Sequence, residues 1–239
     1  MWETGYLLDL SSLPGERELL TSMEQYLDEN RRKRLKETKS SKVFRQSLGA
    51  GLLLQKALQD YCAGRYEAKR ENGRWASAPQ DGGMLVEKLK EEAPLNIRLR
   101  FGEQGKPYLV DYPLFFSLSH SGDACLCVVS EQEIGADIQK FSHTNAERIS
   151  RRFFTEEEIL CLNACEKQEE KQELFFRLWC RKEAYAKYTG QGVVKLLWQD
   201  ASAALPGIAN NLKWEEYTVT LADMRYAIAI CRESEMRNK

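Results

Sequence analysis

Histidine is scarce in this 239-residue chain, which has two, and no Cys-x-x-Cys pair occurs. A zinc site of imidazoles and paired thiolates is therefore not expected. The seven cysteines, at 62, 125, 127, 161, 165, 180 and 231, are odd in number and scattered rather than set out as a disulfide framework. They read as reduced, mostly buried thiols. No phosphate-binding P-loop, Rossmann glycine fingerprint or Gly-x-Ser-x-Gly elbow is present, which removes three common signatures of nucleotide and hydrolase chemistry. No stretch approaches the roughly 18 consecutive apolar residues of a membrane span. The start, MWETGYLLDL, has no basic region ahead of an apolar run, so a cytoplasmic protein with no membrane partner is expected. Net charge is nearly absent too, since 35 Lys plus Arg against 36 Asp plus Glu leave −1. That disfavours nucleic acid as a partner, although local charged patches stay open.

What is there is a chain 43% hydrophobic and 30% charged, enough for one sizeable or two modest cores. Its patterning shows one order of elements twice. A strand at Tyr6–Leu10 precedes helices from about Glu16 to Gly64. A loop with Gly73, Pro79 and Gly82-Gly83 follows, then strands near Asn96–Phe101, Leu114–Ser119 and Ala124–Val129. A second strand, Glu133–Gln139, precedes helices near Asn145–Ser150, Thr155–Gln168 and Lys171–Tyr188, and strands near Trp214–Leu221 and Arg225–Cys231 close the chain. The tail ESEMRNK is expected to fray. Helices followed by strands predict an α+β fold with antiparallel sheets. Two similar lobes, 1–131 and 132–239, are expected, with a ligand site in the cleft between them.

Five segments offer chemistry. Residues 31–45, RRKRLKETKSSKVFR, hold eight Lys or Arg and one Glu: either a solvated basic helix end or a site for phosphates. The helix that follows is expected to turn Val43, Ser47, Gly51, Leu54 and Leu58 to one side, with Arg45 and Lys56 opposite. In FGEQGKPYL, proline biases Lys106 away from helix, so its ammonium projects from a stiffened turn. LFFSLSHSGD ends a strand in Ser119-His120-Ser121, which is either a small polar turn or an oxyanion cradle. In EIGADIQK, alternation puts Ile134, Ala136 and Ile138 on one face and Gly135, Asp137 and Gln139 on the other. A carboxylate beside a residue without a side chain leaves room for an ion, and Asp and Gln offer oxygen ligands of the kind Mg²⁺ takes. In LFFRLWCRKEAYAKY, Leu174, Phe175, Leu178, Trp179, Tyr185 and Ala186 form an apolar face. Glu183 and Lys187 lie at its edge, and Lys182 falls within it, where an unpaired ammonium is costly. Separated acids for a divalent cation and several cations for phosphates describe Mg²⁺-assisted chemistry on a phosphate ester.

The segments GKPYL, FFSLSHSGD, IGADIQK, RRFFTEEE and LWCRKEAYAKYTGQGV, in this order, resemble the 4′-phosphopantetheinyl transferases of the larger, two-lobed, surfactin-synthetase-activator type. The likeness runs from about residue 101 to 193, with a weaker match through the basic run and the helix after it; 65–95 and 194–239 carry no family signature. The resemblance implies two pseudo-twofold lobes with coenzyme A and Mg²⁺ between them. It implies transfer of the phosphopantetheine arm to a serine of an apo acyl, peptidyl or aryl carrier protein, with release of adenosine 3′,5′-bisphosphate. Position by position, Asp137 and Glu183 correspond to the metal carboxylates. Ser119, His120, Lys106, Arg45 and Lys182 correspond to coenzyme A contacts, and Arg31, Lys33 and Arg34 are candidates for its 3′-phosphate. Lys187 would neutralise the pyrophosphate, and Glu183 or a water near it would take the serine proton. Many members carry an acid where this chain has Gln139, so an amide oxygen replaces one metal charge. A monomer is expected, since two lobes supply the cleft. Two rival readings are a metal-dependent phosphodiesterase or nuclease, which would nick DNA with Mg²⁺, and a non-catalytic module that binds coenzyme A or a carrier protein.

Overall fold

The computed structural model describes residues 3–65, 70–71, 74–75, 80–142, 144, 146–191 and 211–234. Strand β1 (Glu3–Asp9) leads through a 3-10 turn, Leu10–Ser12, to helices α1 (Glu16–Met23), α2 (Glu29–Glu37) and α3 (Ser41–Cys62). Short strands β2 (Arg70–Glu71), β3 (Arg74–Trp75) and β4 (Gln80–Asp81) precede α4 (Gly82–Lys90). A small hairpin, β5 (Leu99–Phe101) and β6 (Pro107–Leu109), is followed by β7 (Phe115–Ser121), β8 (Ala124–Ser130) and β9 (Ile134–Lys140). Helices α5 (Ala146–Phe153), α6 (Glu156–Asn163) and α7 (Gln168–Thr189) lead to β10 (Leu212–Leu221) and β11 (Met224–Glu233).

The result is a mixed fold of small sheets and helices. One sheet has the order β4-β1-β8-β7 and another β10-β11-β9. The second is antiparallel throughout. The first departs from the expected antiparallel pattern, because β4 joins β1 in parallel. It does so after a helix-rich connection long enough to bring the chain back in the same direction.

Alternation along the strands then builds layers. Leu8, Cys125, Cys127 and Val129 pack with α3 in one cluster. The opposite side chains of the same strands, Leu7, Leu126 and Val128, pack against Ile134, Ala136, Ile138, Ile228 and Ile230 of the second sheet. On the far side of that sheet, Ala227, Ala229 and Cys231 meet Phe175, Leu178 and Cys180 of α7. Helix, sheet, sheet and helix are thus stacked in that order.

Helix α3 is not one-sided as expected. Buried positions surround most of it from Phe44 to Asp60, while Val43 is exposed. Contacts with β1, β8, α1, α2 and α4 leave little of it to solvent. Lys56, expected on a polar face, folds back onto Asp60, which also receives the Tyr6 hydroxyl. The glycines at 82 and 83 open α4 rather than lie in a loop, with Asp81 capping the Met84 amide at 3.0 Å. The expected loop positions Gly73 and Pro79, the helix start at Asn145 and most of the tail ESEMRNK lie outside the described residues.

Candidate active site

Strand β9 carries Gly135, Asp137 and Gln139 on its α7 side, while Ile134, Ala136 and Ile138 enter the inter-sheet core. A Cβ at Gly135 would lie 2.0 Å from the Ala184 carbonyl oxygen and 2.4 Å from the Tyr188 nitrogen. The missing side chain therefore admits the backbone of α7, which corrects the expectation that it leaves room for an ion. That close approach brings residues 183 and 187 of the helix over Asp137.

Asp137 is buried, and its carboxylate is held from three directions. Oδ1 accepts from the Ser119 hydroxyl at 2.6 Å and from Lys187 Nζ at 2.7 Å, while Oδ2 accepts from the Gln139 amide at 2.9 Å. Glu183, half-buried, lies close enough for the Asp137 charge to act on it. Burial first, and Asp137 second, push its carboxyl up to about 7, with Lys187 opposing. Two carboxylates and an amide with a carbonyl oxygen form a hard-oxygen donor set. Among the described residues no group of three or more His, Cys, Asp or Glu is gathered as a protein-only metal cage. Mg²⁺ needs no such cage, since it is held by one or two carboxylates with waters and substrate oxygens. The residues present fit it.

Cations gather around the same strands. His120, next to last in β7, lies on the surface. Desolvation by its neighbours first, and then Lys187, with Arg31 also contributing, hold its pKa below 6.5. Arg31 donates to the Ser47 carbonyl at 2.7 Å and Arg34 to the Ser47 hydroxyl at 2.8 Å, so both are pinned to α3. Lys33 pairs with Glu29 on the exposed side of α2.

Three expected phosphate contacts are engaged elsewhere. Arg45 donates to the Leu10 and Leu13 carbonyls at 3.0 and 3.2 Å, closing the 3-10 turn after β1. Lys106 does not project from its turn. Its ammonium is nearly buried against Glu133 and reaches the Tyr188 carbonyl at 2.9 Å, where it neutralises the carboxyl end of α7. Lys182 is buried beside Glu158 Oε2 at 2.8 Å, with the Phe154 ring 5.4 Å away. The expected Lys182–Glu183–Lys187 trio is therefore split, with one cation turned inward and the other two groups facing Asp137.

Glu158 was not singled out from sequence, although its signal is present. Thr155 and Glu158 form a capping box at the start of α6. The carboxylate that closes this box also compensates Lys182. A second buried cluster, Arg232 with Glu3 and Glu215, ties β1 to β11 and gave no local signal, because its members are distant in sequence.

An open cavity of about 600 Å³ adjoins Gln139. One wall comes from Lys42 and the turn at Ser121, Gly122 and Asp123. The other comes from Gln139, Lys140, Ile149, Phe175, Phe176 and Trp179. Lys42, Lys140 and apolar rings thus line one recess beside Gln139, suited to a ligand with both anionic and apolar parts.

A family model matches the segment that holds Asp137 and Glu183. Positions 133–231 match the model of the 4′-phosphopantetheinyl transferase superfamily. The chain is 33% identical over 127 residues to the 4′-phosphopantetheinyl transferase gsp of Aneurinibacillus migulanus, covering 52% of each chain. It is 38% identical over 109 residues to HetI of a Nostoc species, covering 43% of this chain and 46% of that one. With Sfp of Bacillus subtilis the identity is 38% over 99 residues, covering 41% and 43%. The chain spans about half the length of these curated relatives. The stretch similar to the 4′-phosphopantetheinyl transferase superfamily, residues 133–231, carries Asp137, Gln139, Glu183 and Lys187.

Proposed function

We propose that this protein transfers the 4′-phosphopantetheine arm of coenzyme A to a serine hydroxyl of apo acyl, peptidyl or aryl carrier proteins, releasing adenosine 3′,5′-bisphosphate. The observation that carries the reading is the convergence of Asp137, Glu183 and Lys187 from β9 and α7 within the segment matched to the superfamily. In this reading residues 1–131 and 132–239 are two lobes related by a pseudo-twofold axis. The recess between α3 and the β7–β8 turn on one side and β9, α5 and α7 on the other is their cleft.

Asp137, Glu183 and the Gln139 amide oxygen would hold Mg²⁺, which when bound neutralises pyrophosphate oxygens and stabilises the leaving bisphosphate. The protein's own groups supply positioning. Lys187, still one-third exposed beside Asp137, can turn its ammonium to a phosphate oxygen. His120, Arg31 and Arg34 offer donors to the outer phosphate. Glu183, or a water beside it, would receive the serine proton. Lys106, Lys182 and Arg45 support the elements that carry these groups.

The test is the intact mass of a purified apo carrier protein incubated with this protein, coenzyme A and Mg²⁺. Gain of one phosphopantetheine arm, abolished by EDTA, is the expected result. Unchanged mass across acyl, peptidyl and aryl carriers would overturn it.

A further inference from the structure

Strand β7 is the edge of the first sheet and β9 the edge of the second. Where they meet, the inward-facing residues of β7 are Ser117, Ser119 and Ser121, in register with Val128, Leu126 and Ala124 on β8. Apolar side chains would satisfy the core there but would leave one row of β9 amides unpaired. The serine hydroxyls take that row. The Ala136 amide donates to Ser117 Oγ at 2.9 Å, the Ile138 amide to Ser119 Oγ at 3.3 Å and the Lys140 amide to Ser121 Oγ at 3.0 Å. The offset is 19 residues each time, so two strands running in the same direction are joined rung by rung.

Each hydroxyl has one proton left to give, and its destination changes along the ladder. Ser117 returns it to the Ala136 carbonyl at 3.2 Å. Ser119 gives it to Asp137 Oδ1 at 2.6 Å, and Ser121 points it at Gln139 Oε1 at 3.5 Å. We infer that Ser117, Ser119 and Ser121 form a hydroxyl ladder that replaces backbone pairing between the two sheets, and that Ser119 and Ser121 use it as positioning residues for the Asp137 and Gln139 side chains. The ladder stands on the hydrogen bonds alone, whereas its positioning role rests on the proposed cation site. A slip of β7 along β9 by one residue would replace every hydroxyl by an outward-facing neighbour, so the ladder also fixes how the halves of the molecule register at the carboxylates.

The experiment compares Ser117→Ala, Ser119→Ala, Ser121→Ala and Ser119→Thr in the full chain. Amide hydrogen exchange at Ala136, Ile138 and Lys140 is read by NMR, and Mn²⁺ affinity by electron paramagnetic resonance with coenzyme A present. Each alanine variant is expected to speed exchange at its own partner amide by about tenfold. Ser119→Ala is expected to weaken Mn²⁺ binding by about 10–100-fold, as loss of a group that orients a ligand does. Ser117→Ala should leave Mn²⁺ affinity at the wild-type value, and Ser119→Thr should restore both readouts. Exchange that does not follow the serine-to-amide pairing would overturn the ladder. Equal loss of Mn²⁺ affinity in Ser117→Ala and Ser119→Ala would overturn the positioning role. Wild-type protein that binds no Mn²⁺ would instead overturn the cation site and the positioning role with it, while the exchange data still decide the ladder.

Discussion

Lys187 Nζ lies 2.7 Å from Asp137 Oδ1 across the junction of α7 and β9, and it is the one cation in hydrogen-bond contact with that carboxylate among the described residues. Replacing Lys187 by Met leaves a buried carboxylate with only neutral donors. A stability loss of about 1–3 kcal/mol is expected, measured by urea unfolding. Turnover should fall by about 10²–10³, the effect of removing one preorganised charge-stabilising group. Adding Asp137→Asn should recover stability without recovering turnover. Lys187→Met alone should raise the pKa of His120, since Lys187 is the leading charged group that lowers it. A His120 midpoint by NMR equal to that of the wild type would separate the two residues.

Lys182 and Glu158 give a different expectation, because both are buried and neither faces Asp137. Lys182→Met should cost about 3–5 kcal/mol, the penalty of leaving a charge uncompensated in the interior. The double variant with Glu158→Gln should recover part of this by removing that charge. Folded Lys182→Met protein at low temperature should bind coenzyme A with wild-type affinity. Weakened binding in calorimetry, with the fold intact by circular dichroism, would return Lys182 to the phosphate site.

Legibility in the sequence followed how local the cause was. The two faces of β9 followed from alternation alone, and the long helices from their apolar periodicity. Lys182 could be seen to be anomalous, but its partner sits in another helix 24 positions away, so the sequence could not name Glu158. Lys106 was misplaced for a similar reason. A turn lysine looks free until the end of α7, 82 residues on, presents the Tyr188 carbonyl to it. Gly135 was read as space for an ion because a sequence shows an absent side chain without showing which backbone fills the gap. Strand β4 and helix α4 were missed where two glycines masked a helix start that Asp81 caps.

The cysteines make a pH prediction. Cys125, Cys127, Cys180 and Cys231 are buried, whereas Cys62 and Cys161 are exposed and Cys165 is half-buried. An aromatic disulfide reagent should therefore find two fast thiols, one slower one, and four more only on unfolding. Burial pushes Cys125 and Cys231 up to about 12 and Cys127 and Cys180 well above their ordinary value. Unfolded thiols titrate near about 8.5, so above that pH the unfolded chain has released protons that the folded chain keeps. Stability should be flat below it with respect to these groups. It should then fall with rising pH by about 1.4 kcal/mol per unit for each buried thiol. Alanine at Cys125 should make that alkaline slope shallower by one such step.

Gln139 offers the most direct control over the proposed cation site. Its amide nitrogen donates to Asp137 Oδ2 at 2.9 Å, and its oxygen faces Ser121. An amide contributes a neutral oxygen to a divalent cation, whereas a carboxylate at the same position adds a negative charge beside Asp137 and Glu183. Without a cation, Gln139→Glu loses the donor to Asp137 and sets like charges together, so the free protein should be less stable than the wild type. With Mg²⁺ the order should reverse, because a cation offsets the added charge and gains a harder ligand. The signature is a larger rise in unfolding temperature on Mg²⁺ addition, together with a lower Mg²⁺ concentration for half-maximal activity. Identical Mg²⁺ responses in Gln139→Glu and wild type would place residue 139 outside the cation's coordination.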